Sequence, residues 1–315
     1  MVTVIIPTRP GQGEIRAVTA ARGLDYPTDR LEIIIARGRQ PAVQRNEALR
    51  VAQGELIYFL DDDALASAGN LRRALVHFAD PQIKIVGGPN LCPADAPRLE
   101  QVFAVVLSSW LAFGPSRARY EEVGVVRASS EKELILCNLM ARREAVLAAG
   151  GFDESLYPNE ENALMDQLQK SGATLLYDPE FIVHRRPRPS LRSFARMLMT
   201  YGRGRAEQFR LHPTLGSALN LVPPLFCLYL VLSIPAALWI GPAIFAPLLL
   251  YCALLAGQTL VSMVGKGWKG LLAAPLILAS HLLYGLGFWR GVFTELKAPG
   301  VQPATTVVLE RAPVE

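Results

Sequence analysis

Charge is scarce in this sequence, and unevenly so. Only 19% of the 315 residues are charged while 51% are hydrophobic, a balance that predicts a membrane part beside an ordinary core. No Asp, Glu, Lys or Arg occurs between Arg210 and Lys266, and a second such run covers Gly270 to Trp289. Each run is long enough to cross a bilayer at roughly 20 residues per span. Cysteine is scarce too: Cys92, Cys137, Cys227 and Cys252 contain no Cys-x-x-Cys pair, which argues against zinc or a disulfide framework. A net charge of +4 without a basic, aromatic-rich platform argues against nucleic acid as a partner. The opening Met1-Val2-Thr3-Val4-Ile5-Ile6-Pro7 has no basic leader and too short an apolar run for a signal peptide, so it reads as a strand. The apolar runs hold no acidic residue and no evident internal repeat, which disfavours a transporter.

What is present is an alternation of short β-rich runs and longer helical segments from Val2 to about Val183. That pattern predicts an α/β fold, a mostly parallel sheet with helices on its faces. The expected strands are Val2 to Pro7, Leu31 to Ala36, Glu55 to Leu60, Ile83 to Gly87 and Thr174 to Tyr177. The expected helices include Ile15 to Gly23, Ala42 to Ala52, Leu71 to Phe78 and Arg143 to Ala149. The division that follows is a cytoplasmic domain over residues 1–185, a basic amphipathic connector at the membrane surface over 186–215, about three transmembrane helices over 216–290, and a tail over 291–315. Arg192, Arg196, Arg203, Arg205 and Arg210 stud the connector, as in helices that lie on a membrane or meet phosphate. Lys266 and Lys269 between the second and third apolar segments place that loop, and the amino-terminal domain, in the cytoplasm. The third segment is rich in glycine, so a full crossing and a re-entrant path both remain open.

The run Tyr58-Phe59-Leu60-Asp61-Asp62-Asp63 carries the chemistry. Three carboxylates beyond a short apolar strand offer hard oxygen ligands for Mg²⁺ or Mn²⁺. They also lie where ligands bind in such sheets, beyond the carboxyl ends of the strands. Other motifs keep them company: Val4-Ile5-Ile6-Pro7-Thr8, Arg45-Asn46-Glu47-Ala48, Gly150-Gly151-Phe152-Asp153-Glu154, and Asn159-Glu160-Glu161-Asn162-Ala163-Leu164.

In order and spacing these motifs resemble the family 2 glycosyltransferases of GT-A fold, over roughly the first 210 residues. Val86-Gly87-Gly88-Pro89, Tyr157-Pro158-Asn159-Glu160-Glu161-Asn162, Tyr201-Gly202-Arg203-Gly204-Arg205 and His281-Leu282-Leu283-Tyr284-Gly285-Leu286-Gly287-Phe288 resemble the membrane-bound branch with the succinoglycan-type glucosyltransferases. The resemblance implies inverting transfer from a nucleotide-sugar donor, with the family's base aligning with Glu161 and Glu160 as the fallback. It implies metal binding at Asp61 and Asp63, with His184 as a further ligand. Donor contacts would come from Pro7, Thr8, Arg45, Asn46, Asp61 and Asp62, with Arg203 and Arg205 as a diphosphate clamp. Relatives end the second strand in an acid that reads the base, where this chain has Arg37. Anchoring implies a lipid-linked acceptor in polysaccharide or glycolipid assembly at the inner membrane, in company with other assembly proteins. Two alternatives accompany that reading: a catalytically degenerate domain acting as a membrane scaffold or binding subunit, and a polyprenyl-phosphate monoglycosyltransferase.

Overall fold

The structure, a computed structural model, describes residues 1–156, 159–211, 219–296 and 306–314. In chain order the elements are β1 (Val2–Thr8), α1 (Arg16–Arg22), β2 (Leu31–Arg37), α2 (Pro41–Val51), β3 (Leu56–Leu60), β4 (Leu65–Ala66), α3 (Asn70–His77), β5 (Ile83–Gly87), β6 (Asn90–Leu91), α4 (Arg98–Leu107) and α5 (Trp110–Phe113). They continue with β7 (Arg127–Ala128), β8 (Asn138–Arg142), α6 (Arg143–Ala148), α7 (Glu160–Lys170), β9 (Thr174–Tyr177), β10 (Val183–His184), α8 (Leu191–Leu211), α9 (Val222–Ile240), α10 (Ala246–Lys266), α11 (Trp268–Phe293) and β11 (Val308–Ala312). Two compact units interleave along the chain: Met1–Pro93 with Ala118–Arg186 and Lys297–Glu315, and Ala94–Arg117 with Pro187–Leu296.

The first unit is a mixed sheet in the order β11-β2-β1-β3-β8-β5-β9-β7. β1 runs parallel to both β2 and β3, and β5 runs parallel to β9. β1 is buried along its whole length, as expected of a central strand covered on both faces. Alternate residues enter opposite cores: Val4, Ile6, Tyr58 and Leu60 pack with α1 and α3, while Ile5, Ile57 and Phe59 pack with α2, α6 and α7. A small second sheet, β4-β10-β6, sets His184 between Leu65 and Leu91.

Six strands lie outside the expected set: the two-residue β4, β6, β7 and β10, and the longer β8 and β11. β8 inserts antiparallel between β3 and β5; its five residues, bounded by Asn138 and Arg142, carry no strand-specific period. β11 lies in what reads as tail and pairs antiparallel with β2, Val308 opposite Arg37 and Ala312 opposite Ile33. Val307 and Leu309 pack on one core, Ala312 and Val314 on the other.

The second unit contains only helices among its described residues. Three are long and apolar enough to cross a membrane: Leu219–Ile240, Pro242–Lys266 and Trp268–Phe293. Within this unit Phe103 of α4 stacks on Phe194 of α8 with ring centroids 4.2 Å apart.

Candidate active site

The parallel arrangement of β1, β2 and β3 brings Thr8, Arg37 and Leu60 to one edge of the sheet, and Asp61, Asp62 and Asp63 continue from it. Pro7 and Thr8 are buried at the end of β1. The Thr8 hydroxyl donates to Asp62 Oδ2 at 3.2 Å. Burial, and then the neighbouring Asp63 and Asp61 charges, push the Asp62 carboxyl above its ordinary range against the opposing Thr8 hydrogen bond. Three carboxylates held together in this way want a cation.

One cation comes from α2, which starts with Pro41 at its first turn, where a missing N–H costs nothing. Arg45 on this helix has a side chain only 5% exposed, and its guanidinium reaches Asp61 Oδ1 at 2.9 Å and Glu160 Oε1 at 3.4 Å. Asn46, the next residue, ties α2 to the Gly-Gly-Phe-Asp-Glu turn. Its amide donates to Phe152 O at 2.9 Å and Glu154 Oε1 at 2.8 Å, and accepts from the Phe152 N–H at 2.9 Å. Gly151, at φ +80°, must be glycine here, because a Cβ would stand 2.6 Å from Asn46 Oδ1.

Glu160 and Glu161 open α7, where the helix dipole favours negative charge. Asn159 sets up this start with φ 106°, the only non-glycine residue at positive φ among the described residues, in the region asparagine tolerates best. Glu160 is buried, with Oε2 lacking a hydrogen-bond partner. Burial first, and then the Glu161 charge, raise its carboxyl to about 7, although the Arg45 charge opposes this. Glu161 is half-buried beside it. Tyr157 and Pro158 of the same motif lie outside the described residues.

Sequence reasoning missed Arg185. Its guanidinium bridges the triplet, with Nη1 at 2.8 Å from Asp61 Oδ2 and Nε at 2.5 Å from Asp63 Oδ1. Burial works against this cation, but the Asp61 and Asp63 charges offset it and keep it charged. The only sequence signal was its place beside His184; the partners are more than a hundred residues away. His184 itself is half-buried in β10. Arg203 and Arg205 belong to the second unit, on α8, where Arg203 pairs with Glu207 and Arg205 donates to Gln208. At the end of β2, Arg37 donates to Glu310 Oε1 of β11 at 2.7 Å and to Gln12 O at 2.7 Å. The acid beside this strand end therefore comes from β11.

Among the described residues no three His, Cys, Asp or Glu side chains are gathered as a metal-ligand set. The chemistry of the triplet nonetheless fits a hard divalent ion: its oxygens are carboxylates, and they already hold a cation in the form of Arg185.

Comparison with known proteins accords with this fold. The chain is 26% identical over 312 residues to the pre-mycofactocin glycosyltransferase of Mycobacterium tuberculosis, covering 89% of this chain and 64% of that protein. It is 29% identical over 164 residues to the succinoglycan biosynthesis protein ExoA of Rhizobium meliloti, covering 48% and 46%. The chain thus spans less than two thirds of the length of these curated relatives. Among solved structures, the mannosyltransferase PcManGT from Pyrobaculum calidifontis, in complex with GDP-Man and Mn²⁺, superposes with a TM-score of 0.52 at 19% identity, covering 89% of this chain and 85% of that one. At that identity the likeness speaks for the GT-A fold. Residues 56–260 match the family described as Glycosyl transferase family group 2, and the chain belongs to that family.

Proposed function

We propose that this protein transfers a sugar, with inversion, from a nucleotide-sugar donor to a lipid-linked acceptor at the cytoplasmic face of the inner membrane. The observation that carries the reading is the meeting of Asp61, Asp62, Asp63, Arg45 and Glu160 beyond the ends of β1 and β3. In the reaction the acceptor hydroxyl oxygen attacks the anomeric carbon. The bond from that carbon to the diphosphate oxygen breaks, and the electron pair leaves with the nucleoside diphosphate. The hydroxyl proton passes to the carboxylate of Glu161, a base within reach of which is worth about 10²–10⁴-fold. Glu160, raised to about 7, is the second acid of the pair, and Arg45 holds both it and Asp61 in place.

A divalent ion, Mg²⁺ or Mn²⁺, held by Asp61 and Asp63 with His184 in reserve, would neutralise the departing diphosphate. The Mn²⁺ and GDP-Man named for the Pyrobaculum mannosyltransferase support this class of cofactor and donor. Pro7, Thr8, Asn46 and Asp62 line the donor side in this reading, and Arg203 and Arg205 are kept for a diphosphate or lipid headgroup. The acceptor is inferred from the apolar helices and from the relatives' printed roles, a mycofactocin precursor and succinoglycan. A lipid diphosphate oligosaccharide is the first choice and a polyprenyl phosphate the second. The sheet-bearing unit, Met1–Pro93 with Ala118–Arg186 and Lys297–Glu315, then forms the cytoplasmic transfer domain, and the basic segment that follows it to residue 215 is the surface connector. Multi-pass anchoring through the apolar helices accompanies this reading.

The test is donor turnover by membranes bearing the protein, across UDP- and GDP-sugars, with and without Mn²⁺ or Mg²⁺. Asp63→Ala and Glu161→Gln should each lose at least about 10²-fold, and unchanged turnover in both would refute the assignment. A second reading, a scaffold that binds without transferring, draws on one observation: Arg185 neutralises the two carboxylates that a metal would need. It predicts no turnover with any donor while partner binding persists.

A further inference from the structure

The path of the chain constrains how it can meet a bilayer. β11 follows the three apolar helices in sequence, yet it pairs with β2 in the sheet of the first unit. One sheet lies on one side of a membrane, so the number of complete crossings between Arg186 and Val308 is even. Neither flank can supply an extra crossing. α8 carries five arginines and Glu207, and each arginine at a bilayer centre costs roughly 2.5–3.5 kcal/mol even on insertion scales. Residues 294–307 contain Glu295, Lys297, Pro299 and Pro303 and fall short of the roughly 20 apolar residues that a span needs. Three full crossings are therefore excluded by parity.

The contacts of α11 identify the helix that stays behind. At its amino end the Arg98 guanidinium of α4 lies 6.0 Å from the Trp268 ring centroid. Midway, His281 Nε2 is 3.0 Å from Leu111 O of α5. At its carboxyl end Arg210 of α8 donates to Gly291 O at 3.0 Å and Thr294 O at 2.6 Å. Between these points the two helices touch backbone to backbone: a Cβ on Gly202 would stand 2.0 Å from Tyr284 O, and one on Gly287 would stand 2.2 Å from Met199 O. Connectivity keeps both partners on the side of the sheet. α4 and α5 lie between β6 and β7 and are too short to cross and return, and α8 directly follows β10. A helix of 26 residues, about 39 Å long, that meets such a segment at each end lies along the interface. The outer faces of α9 and α10 are freer, with Leu238, Trp239, Leu249 and Val264 all well exposed, and a larger share of α11 than of either is buried.

We propose that α11 is an interfacial helix that does not cross the bilayer. It lies as a seam between the basic α8 on one side and α9 and α10 on the other, and the chain then returns to the sheet as β11. The occupant of the exposed apolar faces of α9 and α10 is the acyl region of a lipid bilayer. Lys266 and Lys269, flanking the turn into α11, sit at headgroup depth. This rests on membrane association and is independent of sugar transfer.

The test uses the full chain in sealed vesicles of both orientations, a membrane-impermeant maleimide, and the labelling of the parent protein as background. Val76→Cys, on the exposed side of α3, reports the side of the sheet; Lys266→Cys reports the amino end of α11 and Thr306→Cys the chain after it, where it enters β11. All three should label from the same face. Labelling of either Lys266→Cys or Thr306→Cys from the opposite face overturns the proposal. Failure of the protein to float with phospholipid vesicles overturns the bilayer as occupant and leaves a protein partner for the apolar faces. None of these readouts depends on donor turnover, so an inactive protein leaves the test intact.

Discussion

Glu160→Gln should make the protein more stable, and only above a particular pH. Glu160 is buried, one of its oxygens has no partner, and its contact with Arg45 is long at 3.4 Å. Its carboxyl is raised from an ordinary 4.5 to about 7 by burial and by Glu161. Between those values the folded state binds more protons than the unfolded chain, so stability falls as pH rises through the window. At roughly 1.4 kcal/mol per pH unit, the ionised side chain costs about 3 kcal/mol by pH 8. Glutamine keeps the shape and has no charge to bury, so it removes that cost. The difference between the variant and the parent should be near zero at pH 4, grow through pH 5, 6 and 7, and level off near pH 8. For a unit of this size about 3 kcal/mol corresponds to roughly 6–12 °C in Tm, which a tryptophan-fluorescence melt in detergent resolves. Because the Glu161 charge helps to raise the Glu160 carboxyl, Glu161→Gln should move the window to lower pH. A stability difference that is the same at pH 5 and pH 8, or that favours the parent at pH 8, would refute the argument from burial.

Two further outcomes follow from the same neighbourhood. Arg185→Gln removes the cation between Asp61 and Asp63; Mn²⁺ binding measured by calorimetry should tighten severalfold while metal-free stability drops by about 2 kcal/mol, and unchanged Mn²⁺ affinity would show that Arg185 does not compete for the triplet. Gly151→Ala places a Cβ 2.6 Å from Asn46 Oδ1 at a positive φ, and should lower stability by about 1–3 kcal/mol, read from the urea midpoint; an unshifted midpoint would mean that the turn relaxes freely.

Local patterns were legible wherever the physics is local. Ile83–Gly87 and Thr174–Tyr177 are strands at the expected residues, and β1, β2 and β3 differ by a residue at an end, because a buried parallel strand is a short apolar run bounded by turns. The family was legible too, since its motifs are short and ordered along the chain. β8 was not, because a strand that inserts antiparallel between two others is chosen by the gap it fills. β11 was not, because Val308–Ala312 becomes a strand only when the edge of β2 accepts it.

The sequence by itself determined an α/β domain of the glycosyltransferase family, an acidic triplet at a strand end, and an apolar region able to enter a membrane. The α/β pattern, the triplet and the apolar region follow from composition, period and spacing, and the family from the resemblance of its ordered motifs, all of which a chain carries before it folds. Only the tertiary structure decided that Arg185 is the counter-ion of Asp61 and Asp63, that Arg45 joins Asp61 to Glu160, and that Glu310 stands beside Arg37. It also decided that the chain returns to its own sheet after the apolar helices. Except for Arg45 and Asp61, these pairings join residues more than a hundred positions apart, and the energy that selects them is the shared burial of charge and backbone, which exists only once the partners meet.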